Sequence, residues 1–128
     1  MMIKRCFLLT TVLLTVFLGG CASPKYNAKP ITSDHQNKNI QVVIVNDENT
    51  REGFQKAMES WLSRNNYKYT ISSDGAQHNL DSLTLEYEGK WGWDLAIYLN
   101  DAYIEAFKKG QSVGKVDYKA PNSLGTSK

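Results

Sequence analysis

The sequence predicts a small α/β domain of the α+β kind, with one main helix at about residues 50–65 packed on a mainly antiparallel sheet of about four to five strands. Two observations carry this. Apolar residues recur at helical spacing in one clear stretch, whereas the other apolar runs are short, β-branched or aromatic and alternate with polar residues. These runs are separated by Asn, Asp, Gly and Ser, residues that let a chain turn.

Ile40-Gln41-Val42-Val43-Ile44-Val45 is short and almost continuously apolar, the pattern of a strand covered on both faces. Asn46-Asp47-Glu48-Asn49 breaks it. Asn49 is expected to cap the helix, with Glu52 three residues on, and Phe54, Ala57, Met58, Trp61 and Leu62 mark one helical face. That stripe is expected to pack in the core rather than line a ligand pocket. Asn65-Asn66 closes the helix, because asparagine tolerates the left-handed turn found there.

Tyr67-Lys68-Tyr69-Thr70-Ile71-Ser72 alternates in the manner of a strand, and residues 73–81, with Asp74-Gly75, form a loop. Leu83, Leu85 and Tyr87 alternate with Thr84, Glu86 and Glu88, which predicts a strand with one wet face. Trp91 and Trp93 keep the same parity, and Gly89 or Gly92 can hold a bulge. Residues 94–107 admit two readings. Leu95, Leu99, Ala102 and Ala106 suit a helix, Leu95, Ile97 and Leu99 a strand, and the aromatic and β-branched content favours strand. Lys108-Lys109-Gly110-Gln111 is a turn, and residues 112–119 return as the second arm of a hairpin whose lysines guard an edge. One helix is short cover for so much sheet.

Ahead of this domain, Met1-Met2-Ile3-Lys4-Arg5 is basic and leads into an apolar run from Cys6 to Leu18. The run is too short for a bilayer, which needs roughly 20 residues, and has the layout of a cleaved signal peptide. Leu18-Gly19-Gly20-Cys21 follows, a branched residue and two small ones before cysteine. It resembles the lipobox of bacterial lipoproteins. The resemblance implies cleavage before Cys21, diacylglycerol on its sulfur and a further acyl chain, such as palmitate, on the new amino group. Two or more chains give durable anchoring without any spanning helix. Residues 1–20 are therefore expected to be leader. Residues 21–39, polar and proline-containing without a hydrophobic period, are expected to be a flexible tether. Residues 40–119 form the domain, and 120–128 a disordered or truncated tail.

Removing Lys4 and Arg5 from fifteen basic residues leaves thirteen against thirteen acidic ones, so the mature chain has no formal net charge. Nucleic acid is not an expected partner. Cys6 leaves with the leader and Cys21 is consumed by the thioether, so no thiol remains for a disulfide, a metal or a nucleophile.

Gly89-Lys90-Trp91-Gly92-Trp93-Asp94-Leu95-Ala96-Ile97-Tyr98, Lys109-Gly110 and Val113-Gly114-Lys115-Val116-Asp117-Tyr118, together with the helix start at Arg51, Glu52, Gly53 and Phe54, resemble a family of small uncharacterised proteobacterial lipoproteins. The likeness covers most of residues 40–119 and centres on its Trp-x-Trp-Asp-Leu strand motif. It lends no activity. It implies a further amphipathic C-terminal helix that residues 120–128 do not provide, so a truncated copy is expected.

Few residues qualify as sites. His35 and His78 match no metal-ligand spacing and read as solvated. Glu86 and Glu88 stand about 7 Å apart on one strand face, near glycosidase spacing, but an alternating strand leaves both in water without the burial that acid–base work needs. Trp91 and Trp93 are expected to plug the gap between sheet and helix, or else to form a binding platform. No phosphate loop, nucleophile elbow or zinc-protease helix occurs. The expected function is an envelope accessory or protein-binding module on the periplasmic face of the outer membrane, Ala22 and Ser23 lacking an inner-membrane retention aspartate. The alternative is a carrier or sensor of a small envelope ligand at Trp91 and Trp93; a hydrolase ranks last. No cofactor or metal is expected.

Overall fold

The computed structural model describes residues 23–93 and 95–121. Its elements run β1 (Lys25–Lys29), a short 3-10 turn (Ser33–His35), β2 (Gln41–Val45), α1 (Glu52–Arg64), β3 (Lys68–Ser72), β4 (Leu83–Trp93), β5 (Ile97–Lys108) and β6 (Gln111–Lys119). All six strands join one sheet in the order β1-β6-β5-β4-β2-β3. The α+β expectation holds, with one helix on a sheet that is larger than expected. The sheet is mixed: β2 runs parallel to β3 and β4, and the other three pairings are antiparallel. The parallel pair follows from α1, which carries the chain back along the sheet between β2 and β3.

Val42 and Ile44 of β2 meet Met58 and Leu62 of α1, with Leu83, Tyr87 and Ala106 completing the buried cluster. Phe54 stacks on Tyr87 with ring centroids 5.4 Å apart, which brings the start of α1 down onto β4. The helix ends as expected. Asn66 adopts φ +62°, and the Tyr67 N–H reaches the Leu62 carbonyl at 3.0 Å while the Asn66 N–H reaches that of Ser63 at 3.1 Å.

The helix start differs from expectation. Asn49 is not the cap; Arg51 holds that position without a side-chain bond. Asp47 organises the approach instead, accepting from the Asn49 N–H at 3.0 Å and the Thr50 hydroxyl at 2.6 Å. Thr50 is buried and accepts the Gly89 N–H at 2.8 Å, so the chain is pinned to β4 before the helix can begin.

Residues 23–39, the described part of the expected tether, also depart from that reading. Lys25–Lys29 adds to the edge of β6, with the Tyr26 and Tyr118 rings 5.3 Å apart. Every residue of β1 is exposed, so it buries no face whose period could announce it. The chain then turns onto the helix side, where Ile31 packs over Gly114 and joins the core margin. Among the described residues the first strand of the sheet is β1, not the run that starts near Ile40.

Residues 97–108 are strand, as favoured. Lys90 pairs with Asp101 but Trp91 pairs with Leu99, which makes Asn100 an extra residue in β5. The bulge returns Leu99 to the helix side, against Gly89 and Phe54. A second bulge in β6 places Val113 at the core.

Candidate functional site

Three surfaces can carry function. The first is the tip of the β4–β5 hairpin. β6 and β1 stop at a row formed by Lys25, Lys119, Asp101 and Lys90, each paired with the next across the sheet. One step beyond that row the Ala120 N–H still reaches the Asn100 carbonyl at 2.8 Å, and past it the hairpin continues as two strands alone. Trp91 and Trp93 share the helix side, but neither plugs a gap, contrary to the packing expectation. Trp91 is 38% exposed beneath the Arg51 guanidinium, whose carbon lies 5.3 Å from the ring centroid, and Trp93 is 72% exposed. The helix begins at the level of Gly89, against Thr50 and Phe54, and runs away from the tip, so it does not cover them. Leu95, at φ +59°, is 90% exposed, and Ile97, paired with Trp93, is exposed as well. Leu95 and Ile97 escaped the sequence reading as site residues, although they continue the apolar run beyond Trp93.

The second surface is an apolar groove of about 500 Å³ between α1 and the sheet, lined by Phe54, Met58, Trp61, Leu85, Ile104 and Val116 among others. It exists because α1 covers β2 and β4 while the same face of β5 and β6 has no helix above it. The stripe on α1 thus serves two purposes. Met58 and Leu62 are buried, whereas Trp61 stays exposed on the groove rim, its ring stacked on Tyr67.

The third lies on the opposite sheet face, a polar hollow of about 480 Å³ bordered by Asp47, Asp74, Glu86, Glu88, Tyr87 and Tyr103. Beside the hollow, at its lining residue Glu86, the expectation of solvated side chains is overturned for His78. The loop before β4 folds back, His78 packs against Phe107 with ring centroids 4.9 Å apart, and its Nε2 lies 2.7 Å from Glu86 Oε1. Glu88 faces Lys90 at 3.4 Å. Burial raises the ionisation of Tyr103 above the ordinary phenol value, and the negative charges of Glu88, Glu86, Asp47 and Glu105 add to this. Tyr87 is raised by burial too, offset by the Asp47 N–H it accepts at 3.2 Å; its own hydroxyl lies 3.0 Å from Gln55 Oε1. The four carboxylates are engaged: Asp47 accepts from Asn49 and Thr50, Asp74 from the Glu48 N–H, Glu86 meets His78 and Glu88 faces Lys90.

Leu18, Gly19, Gly20 and Cys21 lie outside the described residues. His35 sits in the 3-10 turn, whereas His78 lies against Glu86 and Phe107. Among the described residues no group of three or more His, Cys, Asp or Glu side chains is placed to hold a metal, and no helix is long and apolar enough to cross a membrane.

Fold and surfaces together define a one-helix α+β module with a protruding aromatic hairpin and an open apolar groove. No family model, curated protein or solved structure matches the chain.

Proposed function

We propose that this chain is a bacterial envelope lipoprotein, anchored through acyl chains on Cys21 at the periplasmic face of the outer membrane, and that its domain is a non-enzymatic accessory module that binds a protein partner. The leader and the Leu18-Gly19-Gly20-Cys21 sequence support the address. The groove beside α1 supports the binding role. Two strand spacings, about 10 Å, separate the sides of this uncovered strip, which is the width of one helix. An amphipathic helix of the partner fits it, read through apolar residues at helical spacing. A small-ligand carrier built on Trp91 and Trp93 has less support, because a 72% exposed Trp93 offers a small molecule little wall.

The test is a photo-crosslinking residue at Val116 on the groove rim, compared with one at Asp81, which precedes β4 at the far end of the sheet. In living cells Val116 is expected to yield a discrete adduct that Asp81 does not, and Trp61→Asp is expected to abolish it. Equal adducts at both positions, or none at Val116, overturn the binding role. An adduct of twice the chain's mass transfers the groove to a second copy of the protein.

A further inference from the structure

The register of the sheet fixes where a lipid on Cys21 must lie relative to the aromatic hairpin. Lys25 stands in the same row as Lys119, Asp101 and Lys90, at the level where the hairpin leaves the rest of the sheet. From that row the chain runs back through Pro24, Ser23 and Ala22 to Cys21, a reach of at most about 14 Å for four residues. From the same row β4 climbs three residues to Trp93, about 10 Å. Both depart from the same end of the sheet. A tether of eighteen residues would let the domain hang anywhere within several tens of Å, but β1 takes up the slack and leaves a leash hardly longer than the hairpin.

We propose that the hairpin tip, carrying Trp91, Trp93, Leu95 and Ile97, inserts at the headgroup level of the bilayer that holds the Cys21 lipid, and so fixes the domain's orientation on the membrane. This rests on the lipoprotein reading above. Three observations favour a lipid surface as the occupant. The apolar side chains project from a narrow two-stranded tip, a shape that enters an interface, and tryptophan with flanking aliphatics is the composition that resides there. Leu95 is held in the left-handed region, which costs a branched side chain free energy and here holds it outward, 90% exposed. Cations ring the tip: Lys25, Lys90 and Lys119 stand in the row beneath it with Asp101, Lys90 also facing Glu88 further down β4, and Arg51 lies over Trp91 on the other face. These suit anionic lipid phosphates. The sequence places one carboxylate, Asp94, in the tip, which limits insertion to the hydrated headgroup zone.

In this orientation the start of β4, with the loop at Asp81, points away from the membrane, and the groove lies along the side of the domain, open to a partner. Docking and partner binding are therefore compatible.

The test uses the full mature lipoprotein, purified from membranes and reconstituted into phosphatidylethanolamine–phosphatidylglycerol vesicles with brominated acyl chains. Two reporters separate the positions: Trp61→Phe with Trp91→Phe leaves only Trp93, and Trp91→Phe with Trp93→Phe leaves only Trp61. Trp93 fluorescence is expected to fall at least about twofold relative to unbrominated vesicles, as for a side chain at the interface, while Trp61 is unchanged. All three tryptophans are exposed or half-exposed, so the variants keep the fold. As an independent readout, Leu95→Cys or Asp81→Cys supplies the one free thiol of the mature chain for an environment-sensitive dye. The dye at 95 is expected to shift to the blue on vesicles and the dye at 81 to stay put. Acylation is read separately from the mass of the N-terminal peptide. A chain without lipid on Cys21 overturns both readings. An acylated, vesicle-bound chain whose Trp93 escapes quenching and whose dye at 95 does not shift overturns the docking alone.

Discussion

Gly114→Ala tests whether β1 and the segment after it belong to the fold. A methyl group at Gly114 would lie 2.6 Å from Ile31 Cγ1, 3.0 Å from Ile31 N and 3.2 Å from Ile31 Cα. Carbon atoms pack at about 3.5–4.0 Å, so residue 31 must move outward by roughly 1 Å. Two of the three close atoms are backbone, and a rotamer change cannot relieve them. Such overpacking costs about 1–3 kcal/mol, partly offset by the smaller backbone entropy of alanine in the unfolded chain. A net loss of about 1–2 kcal/mol lowers Tm by roughly 5–15 °C in a domain of about 100 residues. Thermal unfolding measures the total, and amide exchange locates it: β1 and Ile31 should exchange faster while β2 stays protected. An unchanged Tm, or loss of protection spread evenly over the sheet, would refute the packing of Ile31 over Gly114.

Other substitutions address the core, a polar link and the helix end. Ile44 is fully buried in β2, so Ile44→Ala should cost about 2–5 kcal/mol in denaturant unfolding. Tyr87→Phe removes the bond that Asp47 N–H donates and the one made to Gln55, for a loss of about 1–2 kcal/mol. It should also flatten the alkaline limb of stability. The folded Tyr87 phenol ionises above its unfolded value, so between the two the unfolded chain has lost a proton that the fold keeps, and stability falls as pH rises past about 10. The variant should fall less steeply, with a residual slope from Tyr103, which is raised in the same direction. Asn66→Gly relieves a left-handed residue at the helix end and should stabilise by about 0.5–1 kcal/mol.

The elements that bury a face were legible in the sequence. Val42 and Ile44, Met58 and Leu62, and Leu83 and Tyr87 show the periods of strand, helix and strand, and each lies in the core at the parity expected. β1 was not legible, because Lys25-Tyr26-Asn27-Ala28-Lys29 is an edge strand held by main-chain pairing, which leaves no trace in side-chain pattern. The helix start shifted because its control is remote: Thr50 bonds Gly89 across the structure, and no local capping rule contains that contact. The parity of Trp91 and Trp93 could be read, but their exposure depends on how far the hairpin outruns α1, which spacing does not specify. His78 was misjudged for the same reason, since its partners Glu86 and Phe107 lie on two strands that follow it in the chain.

The central claim, a lipid on Cys21 holding a domain whose first strand begins at Lys25, meets its most direct test in the mass of the N-terminal tryptic peptide from the membrane-extracted protein. The expected product is a peptide of residues 21–25 carrying a diacylglyceryl group on the Cys21 sulfur and an acyl chain on its amino group. A peptide that begins upstream of Cys21, or residues 21–25 without lipid, would contradict it.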